Sequence, residues 1–400
     1  MHMIERKVYL ERLSGFRDKR VIKIVTGIRR CGKSTLLELF REKLARSGVK
    51  PEQMLAVNFE DYDNRHLLAP DALHDYVTGH MAKTGKTYVF LDEIQHVAEF
   101  QRVVDSLHLR KNLDIYLTGS NAWLLSGELA TLLSGRYVEI ELLPLSFAEY
   151  AVAVGGTQNL AKTYREYLEN SSFPGTLEFG GNFKFIRDYL QGVYDSVVLK
   201  DVIGRERIAD PMMLESLIRF TFDNIGSRLS SKRISDAMKA AGRSIDVKTV
   251  ERYLRALTDS YILYQAGRYD VKGKQHLKTL EKYYAVDMGL RRVLLGKSAS
   301  DVGHILENIV YLELIRRGYQ VYTGKLDAEE VDFVAIDENG RSYYQVAATV
   351  RDEAVLEREL RPLKKIADHY PKTILTLDED PDGDANGIRR INALKWLMDT

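Results

Sequence analysis

The stretch from Gly27 to Thr35 reads Gly-Ile-Arg-Arg-Cys-Gly-Lys-Ser-Thr and restricts the possible fold of this chain more than any other segment. Glycine, four residues, glycine, lysine and a hydroxyl residue form the template of a phosphate-binding loop. Before it, Val21-Ile-Lys-Ile-Val25 is β-branched and apolar, as a buried strand requires. After it, Leu36, Leu37, Leu39, Phe40 and Leu44 recur at helical spacing. Strand, glycine turn and helix therefore follow in the order that aims backbone N–H groups at an anion. Gly27 and Gly32 permit the tight turn, and Ile28, Arg29, Arg30 and Cys31 lie between them. Lys33 is placed to reach the β- and γ-phosphates of a nucleotide and Ser34 to ligate Mg²⁺, with Thr35 completing the binding stretch.

Downstream, apolar strands alternate with helical stretches. Met54 to Phe59 reads as a strand, 71–83 as a helix, Thr87 to Glu93 as a strand, 97–109 as a helix and Asp114 to Gly119 as a strand. That alternation predicts a parallel sheet wound on both faces, with ligands at the C-terminal ends of the strands. Asp92 follows four apolar strand residues, a position from which it holds Mg²⁺ beside Ser34. Glu93, one residue on, can polarise the attacking water. Ser120 or Asn121 closes the next strand, within reach of a γ-phosphate or of the same water. Arg136 precedes a further strand, Val138 to Leu142, and two readings of it stay open. One is a finger for the γ-phosphate, in cis or from a neighbouring subunit; the other is a surface arginine paired with Glu128 or Glu139.

With 58 basic against 57 acidic residues, any nucleic-acid surface has to be a local patch. The lone cysteine, Cys31, excludes an internal disulfide and fits a reducing compartment. Its place at a helix N-terminus beside Lys33 could lower a thiol pKa, although a small residue filling a loop is the simpler account. No apolar run approaches the ~18 residues of a membrane span, so a cytoplasmic protein without membrane contact is expected.

Residues 20–150 resemble P-loop ATPases of the AAA+ superfamily, and more narrowly the AAA_14 proteins whose AAA domain precedes a DUF4143 region. The matching pieces are Thr26 to Thr35, Phe90-Leu-Asp-Glu-Ile-Gln95, Leu117-Thr-Gly-Ser-Asn121, and Ser134-Gly-Arg136 through Leu143-Pro-Leu-Ser-Phe-Ala-Glu-Tyr150. The resemblance implies a Walker A loop at Gly27 to Ser34, a Walker B strand ending in Asp92 and catalytic Glu93, and a sensor at Ser120 or Asn121. It also favours Arg136 as a finger. Similarity continues, more weakly, to the C-terminus.

Phe183 to Gly204 reads as one long amphipathic helix, and Arg205 or Arg207 beyond it could reach back to the nucleotide as a lid arginine. Helices over 230–242 and 246–257, then a ribbon carrying Lys272, Lys274, His276 and Lys278, give a winged-helix pattern. Lys248, Thr249, Arg252 and Arg255 would face outward towards phosphates and base edges, or simply form a solvated basic face. Beyond residue 300, a helix, a hairpin, a strand, a helix and a strand resemble the restriction-endonuclease-like PD-(D/E)xK fold. Glu307 and Asp332 fit two of its acidic positions. Gln345 and Ala347 stand where a carboxylate and a lysine are needed, so a nuclease-like shell without strong nuclease chemistry is expected.

The expected fold is α/β: a P-loop NTPase (AAA+) parallel-sheet domain over 1–150, a helical and winged-helix middle over 151–295, and a restriction-endonuclease-like domain over 296–400. The expected activity is Mg²⁺-dependent ATP hydrolysis that moves DNA- or protein-binding C-terminal domains, in a chain that can form homo-oligomers. An ATP-gated nuclease and a non-hydrolysing, nucleotide-dependent platform are the competing readings. No Asn/Thr-Lys-x-Asp stretch for guanine follows the Walker B segment, which favours ATP.

Overall fold

The computed structural model describes residues 4–120, 135–204, 208–296 and 302–399. Residues 1–143 with 259–261 form one compact unit, and residues 144–258 with 262–400 a second.

The first unit is built on five parallel strands, β1 (Ile22–Thr26), β2 (Met54–Asn58), β3 (Thr87–Asp92), β4 (Leu113–Thr118) and β5 (Tyr137–Glu141). They lie in the order β2-β3-β4-β1-β5. Every residue of β1 and β3 is buried, which is why both read as near-continuous apolar runs rather than alternating ones. Among the described residues, four helices belong to this unit: α1 (Lys7–Gly15), α2 (Lys33–Arg46), α3 (Pro70–Gly79) and α4 (Phe100–His108). Ile24, Val89, Leu91, Ile115 and Leu117 share one core with Leu73 and Val77 of α3 and Val104 and Leu107 of α4. The alternate strand residues, Phe90 and Tyr116, stack with centroids 4.9 Å apart and meet Phe40 of α2. Register fixes the functional edge. Val25 pairs with Thr118 and Leu91 with Leu117, so the loop after β1, Asp92 and Thr118 all emerge at the same C-terminal end of the sheet.

The second unit opens with α5 (Phe147–Ala153), α6 (Leu160–Asn170) and α7 (Phe183–Ser196). The long helix expected to Gly204 changes at Val197 into a π-helix that runs to Ile203. Next come α8 (Pro211–Asp223), β6 (Arg228–Leu229), α9 (Ser231–Ala240), α10 (Val247–Asp259), β7 (Leu263–Asp270), β8 (Gln275–Ala285) and α11 (Met288–Leu295). The chain continues through α12 (Val302–Arg316), β9 (Gln320–Leu326), β10 (Glu329–Asp337), β11 (Gly340–Ala347), α13 (Glu353–Lys364) and β12 (Lys372–Thr376). It closes with β13 (Gly383–Ala385), β14 (Ile388–Asn392) and α14 (Ala393–Met398). All nine strands join one sheet, in the order β13-β14-β12-β11-β10-β9-β7-β8-β6. The join is a parallel pairing of Arg268, Tyr269 and Asp270 of β7 with Thr323, Gly324 and Lys325 of β9. Strands on either side of residue 295 therefore belong to one sheet.

At the N-terminal end of the first sheet, Lys23 forms an ion pair with Asp114 in which the two side chains are 0% and 2% exposed. Asp114 also accepts from the Tyr116 hydroxyl and the Asp18 amide, each at 2.9 Å. Burial pulls the Lys23 pKa down, and Asp114 opposes that. Removing one partner of such a pair leaves an uncompensated buried charge. Asp114→Ala is expected to lower unfolding stability by about 3–5 kcal/mol in urea titrations, whereas Lys23→Met/Asp114→Leu regains most of the loss. A single variant as stable as the double one would contradict this.

Candidate nucleotide site

The glycine loop takes the shape that its composition allows. Gly27 has φ +138° and Gly32 φ +102°, both in the region that disfavours side chains. A Cβ at Gly27 would lie 2.3 Å from the Leu142 carbonyl oxygen, so only glycine fits beside β5. Gly32 caps α2, which places Lys33 and Ser34 in its first turn, where unpaired amides and the helix dipole favour an anion. Arg6, which the sequence reading missed, braces this loop from outside. Its guanidinium donates to the carbonyls of Cys31 at 3.2 Å and Leu143 at 2.7 Å.

The Lys33 ammonium is buried. It donates to the carbonyls of Gly27 at 3.0 Å and Ile28 at 3.3 Å, and lies 3.5 Å from Glu93 Oε1. Glu93 Oε2 accepts from the Gln95 side-chain amide. Burial acts to raise the Glu93 pKa, but Lys33, Gln95 and Arg29 together hold it below the ordinary carboxylate value. Asp92 behaves in the opposite way. Burial raises its pKa, with adjacent Glu93 adding to the rise, while hydrogen bonds with Thr118 and Ser34 offset part of it. The Ser34 hydroxyl thus lies near enough to the Asp92 carboxylate to favour its charged form.

Thr118 is the link that sequence did not supply. Its hydroxyl donates to Asp92 Oδ1 and accepts the backbone N–H of Glu93 at 2.8 Å. That bond steadies Glu93 in a left-handed conformation, φ +53°. The only available signal was strand register, which sets the last residue of β4 opposite the end of β3. The expected sensor positions lie two and three residues further on. Ser120 is buried and its Oγ has no hydrogen-bond partner among the described residues, nor has Gln95 Oε1. Buried polar atoms left open beside a phosphate loop suit a polar ligand. Asn121 lies outside the described residues, as do Arg205 and Arg207.

Three further residues of the sequence reading can be placed. Arg136 sits at the wrong end of the sheet to act within its own chain. It precedes β5, its carbonyl accepts the Ile22 N–H at the start of β1, and its guanidinium is 2.9 Å from Asp105. The glycine loop leaves β1 at the opposite end. Cys31 is fully buried, and burial raises its thiol pKa despite Lys33, so it is not an activated thiol. Arg29 pairs with Glu60 at 3.3 Å and also helps to lower the pKa of Glu93. Glu60, Glu93 and His96 form the one cluster of at least three potential metal ligands among the described residues, each offering an atom within 4.8 Å of the others.

In the second unit, Lys248, Arg252 and Arg255 are exposed on α10. Thr249 is instead committed to the helix start, its hydroxyl donating to Asp246 at 2.6 Å. Lys272 is paired with Asp327 of the β9–β10 turn, and Lys274 is exposed. The side chains of His276 and Lys278 lie outside the described ones. Glu307 and Asp332 do converge, but on the ammonium of Lys282, 2.8 and 3.8 Å away. Gln345 joins them through its amide oxygen, which accepts the Asp332 N–H at 2.8 Å.

Residues 19–151 match the family model described as an AAA domain (AAA_14). Residues 161–301 match a domain of unknown function, DUF8612, where the sequence resemblance expects DUF4143 to follow the AAA domain. An uncharacterized protein of Haemophilus influenzae is 38% identical over 400 residues, spanning 99% of each chain. An uncharacterized protein of Methanocaldococcus jannaschii is 28% identical over 361 residues, 86% of this chain and 78% of that one. Among solved structures, a Walker-type ATPase of Pyrococcus abyssi aligns at 17% identity and a TM-score of 0.49, covering 73% of this chain and 95% of the other.

Thr118→Val keeps the shape but removes the shared hydroxyl, leaving the Glu93 N–H buried without a partner. Stability should fall by about 1–3 kcal/mol in urea unfolding, with Thr118→Ser restoring most of it. Equal stability of the Val and Ser variants would remove Thr118 from this role.

Proposed function

We propose that this chain, which belongs to the family of the Haemophilus influenzae protein and carries an AAA domain, is a Mg²⁺-dependent ATPase. The observation that carries the reading is the convergence of Lys33, Ser34, Asp92, Glu93 and Thr118 at one edge of the first sheet. Lys33 is held by two main-chain carbonyls that a phosphate can replace, and its departure frees Glu93 Oε1. Glu93 then orients the attacking water and takes up its hydrogen bond. Ser34 and Asp92 would hold Mg²⁺, which supplies positive charge to the β- and γ-phosphate oxygens. Asp92, with its raised pKa, has to be ionised for that role. Ser120 Oγ, open and buried, is the γ-phosphate contact of this reading. Arg136 enters it only as a finger supplied by a second copy of the chain.

A second reading, DNA as the partner of the second unit, is favoured by one observation. The order α8, β6, α9, α10, β7, β8, with β6 antiparallel to β8, supports a winged-helix reading, and Lys248, Arg252 and Arg255 lie in solvent. Turnover would then reposition a DNA-binding surface. The succession α12, β9, β10, β11, α13, β12 supports a nuclease-like C-terminal shell. No helix among the described residues is long and apolar enough to cross a membrane, and we place the protein in the cytoplasm.

Lys33→Ala should abolish tight binding of a fluorescent ATP analogue, whereas Glu93→Gln should bind it normally and lose about 100-fold or more in phosphate release. Wild-type turnover by Glu93→Gln would defeat the assignment. For the second reading, duplex DNA should bind with a salt slope that drops by about 3 when Lys248, Arg252 and Arg255 are all changed to Ala. An unchanged slope would retire that surface.

A further inference from the structure

The carboxylates of the nuclease-like shell surround a side chain from outside it. On β8, Lys282 and Tyr284 point to the same side of the strand, and Tyr284 is fully buried. Lys282 Nζ is 2.8 Å from Glu307 Oε1 on α12, and 2.9 Å from Glu330 Oε1 and 3.8 Å from Asp332 Oδ1 on β10. Its side chain is 4% exposed.

Further hydrogen bonds engage the same three carboxylates. Tyr284 donates to Glu307 Oε1 at 2.7 Å, Arg228 of β6 to Glu330 Oε2, and the Val346 N–H to Asp332 Oδ2 at 2.9 Å. Gln345, at the position of the missing carboxylate, spends its oxygen on the Asp332 N–H and its NH₂ on Glu359 at 2.8 Å. Gly226, at φ +70°, packs so closely that a Cβ there would lie 3.2 Å from Glu307 Oε2. The ammonium thus stands between the carboxylate oxygens that Mg²⁺, which prefers octahedral oxygen coordination, would need.

We propose that Lys282 is the resident cation of this cluster, standing where a divalent metal would have to bind, so that the C-terminal shell is a latent metal site closed by its own ammonium. The inference goes beyond the ATPase reading and does not depend on it. The geometry agrees with it: the carboxylates of Glu307 and Glu330 face two cations supplied by the chain itself, Lys282 and Arg228. The lysine also ties β8 to α12 and β10, linking the 263–285 hairpin to the helix and strand that follow.

The test is Mn²⁺ binding to the nucleotide-free full chain, read from the electron paramagnetic resonance signal of the free ion. Ser34→Ala removes the metal ligand of the phosphate loop, and this variant is expected to show no stoichiometric Mn²⁺ that depends on Glu307. Lys282→Met should bind one Mn²⁺ per chain, at least about tenfold tighter than any binding before the change, and Lys282→Met/Glu307→Gln should lose it. Lys282→Arg, which keeps the charge, should stay closed. The proposal is overturned if the Ser34→Ala protein binds a stoichiometric Mn²⁺ that Glu307→Gln abolishes, or if a folded Lys282→Met protein binds none. Should Lys282→Met not fold, the Ser34→Ala measurement with and without Glu307→Gln still decides, and Lys282→Gln/Glu330→Gln removes one charge of each sign.

Discussion

A buried ammonium must be compensated, and the way Lys33 is compensated shapes the whole nucleotide site. Its three oxygen contacts are two main-chain carbonyls of its own loop and one oxygen of Glu93. The carbonyls are neutral, and the carboxylate is at 3.5 Å, so each is a weaker partner than a phosphate oxygen. The loop is therefore held in a binding shape before any phosphate arrives, yet nothing in it has to break at high cost to let one in. The surrounding parts follow from that constraint. Arg6 fixes the Cys31 carbonyl, Gly27 lets the backbone touch β5, and Thr118 keeps the two carboxylates apart in role by bonding to one side chain and to the backbone of the other.

Two other lysines are buried among the described residues, and their partners differ in kind. Lys23 faces Asp114 in an almost fully enclosed pair that also takes in Tyr116 and the Asp18 backbone. Lys282 faces three carboxylates, two of them within 2.9 Å. Both have charged partners at short range that no diffusible anion can replace without leaving a carboxylate stranded. Only Lys33 has partners that a ligand can outcompete. The distinction between a lysine that binds substrate and one that closes a structure thus lies in what it would leave behind.

Local order was legible in the sequence because the strand, glycine turn and helix around Gly27 to Lys33 are each dictated by adjacent residues. The same holds for Asp92 and Glu93, which end an apolar run. What was not legible depends on pairing between distant segments. Thr118 acquires its role from the β3–β4 register, Arg6 from a contact with Leu143, and Lys282 from residues on α12 and β10. Lys282 in particular was hidden within a run of basic residues that reads as a solvent-facing wing. The nine-stranded sheet was missed for a similar reason. Nothing local in Leu263–Asp270 announces that one of its edges pairs in parallel with Gln320–Leu326, some fifty residues on.

Arg136 shows how topology can overrule a motif. In a parallel sheet, residues that begin strands and residues that follow them lie at opposite edges, separated by the strand length at about 3.3 Å per residue. Arg136 precedes β5 and the glycine loop follows its neighbour β1, with Ile22 paired to Tyr137 and Thr26 to Glu141. Five strand residues therefore stand between the guanidinium's backbone and the phosphate loop. Sequence proximity to a conforming Ser-Gly-Arg stretch cannot shorten that path, and rotating a side chain already engaged with Asp105 does not span it. An arginine at this edge can meet a phosphate only where another chain presents one, which makes assembly, rather than local folding, the condition for any finger role.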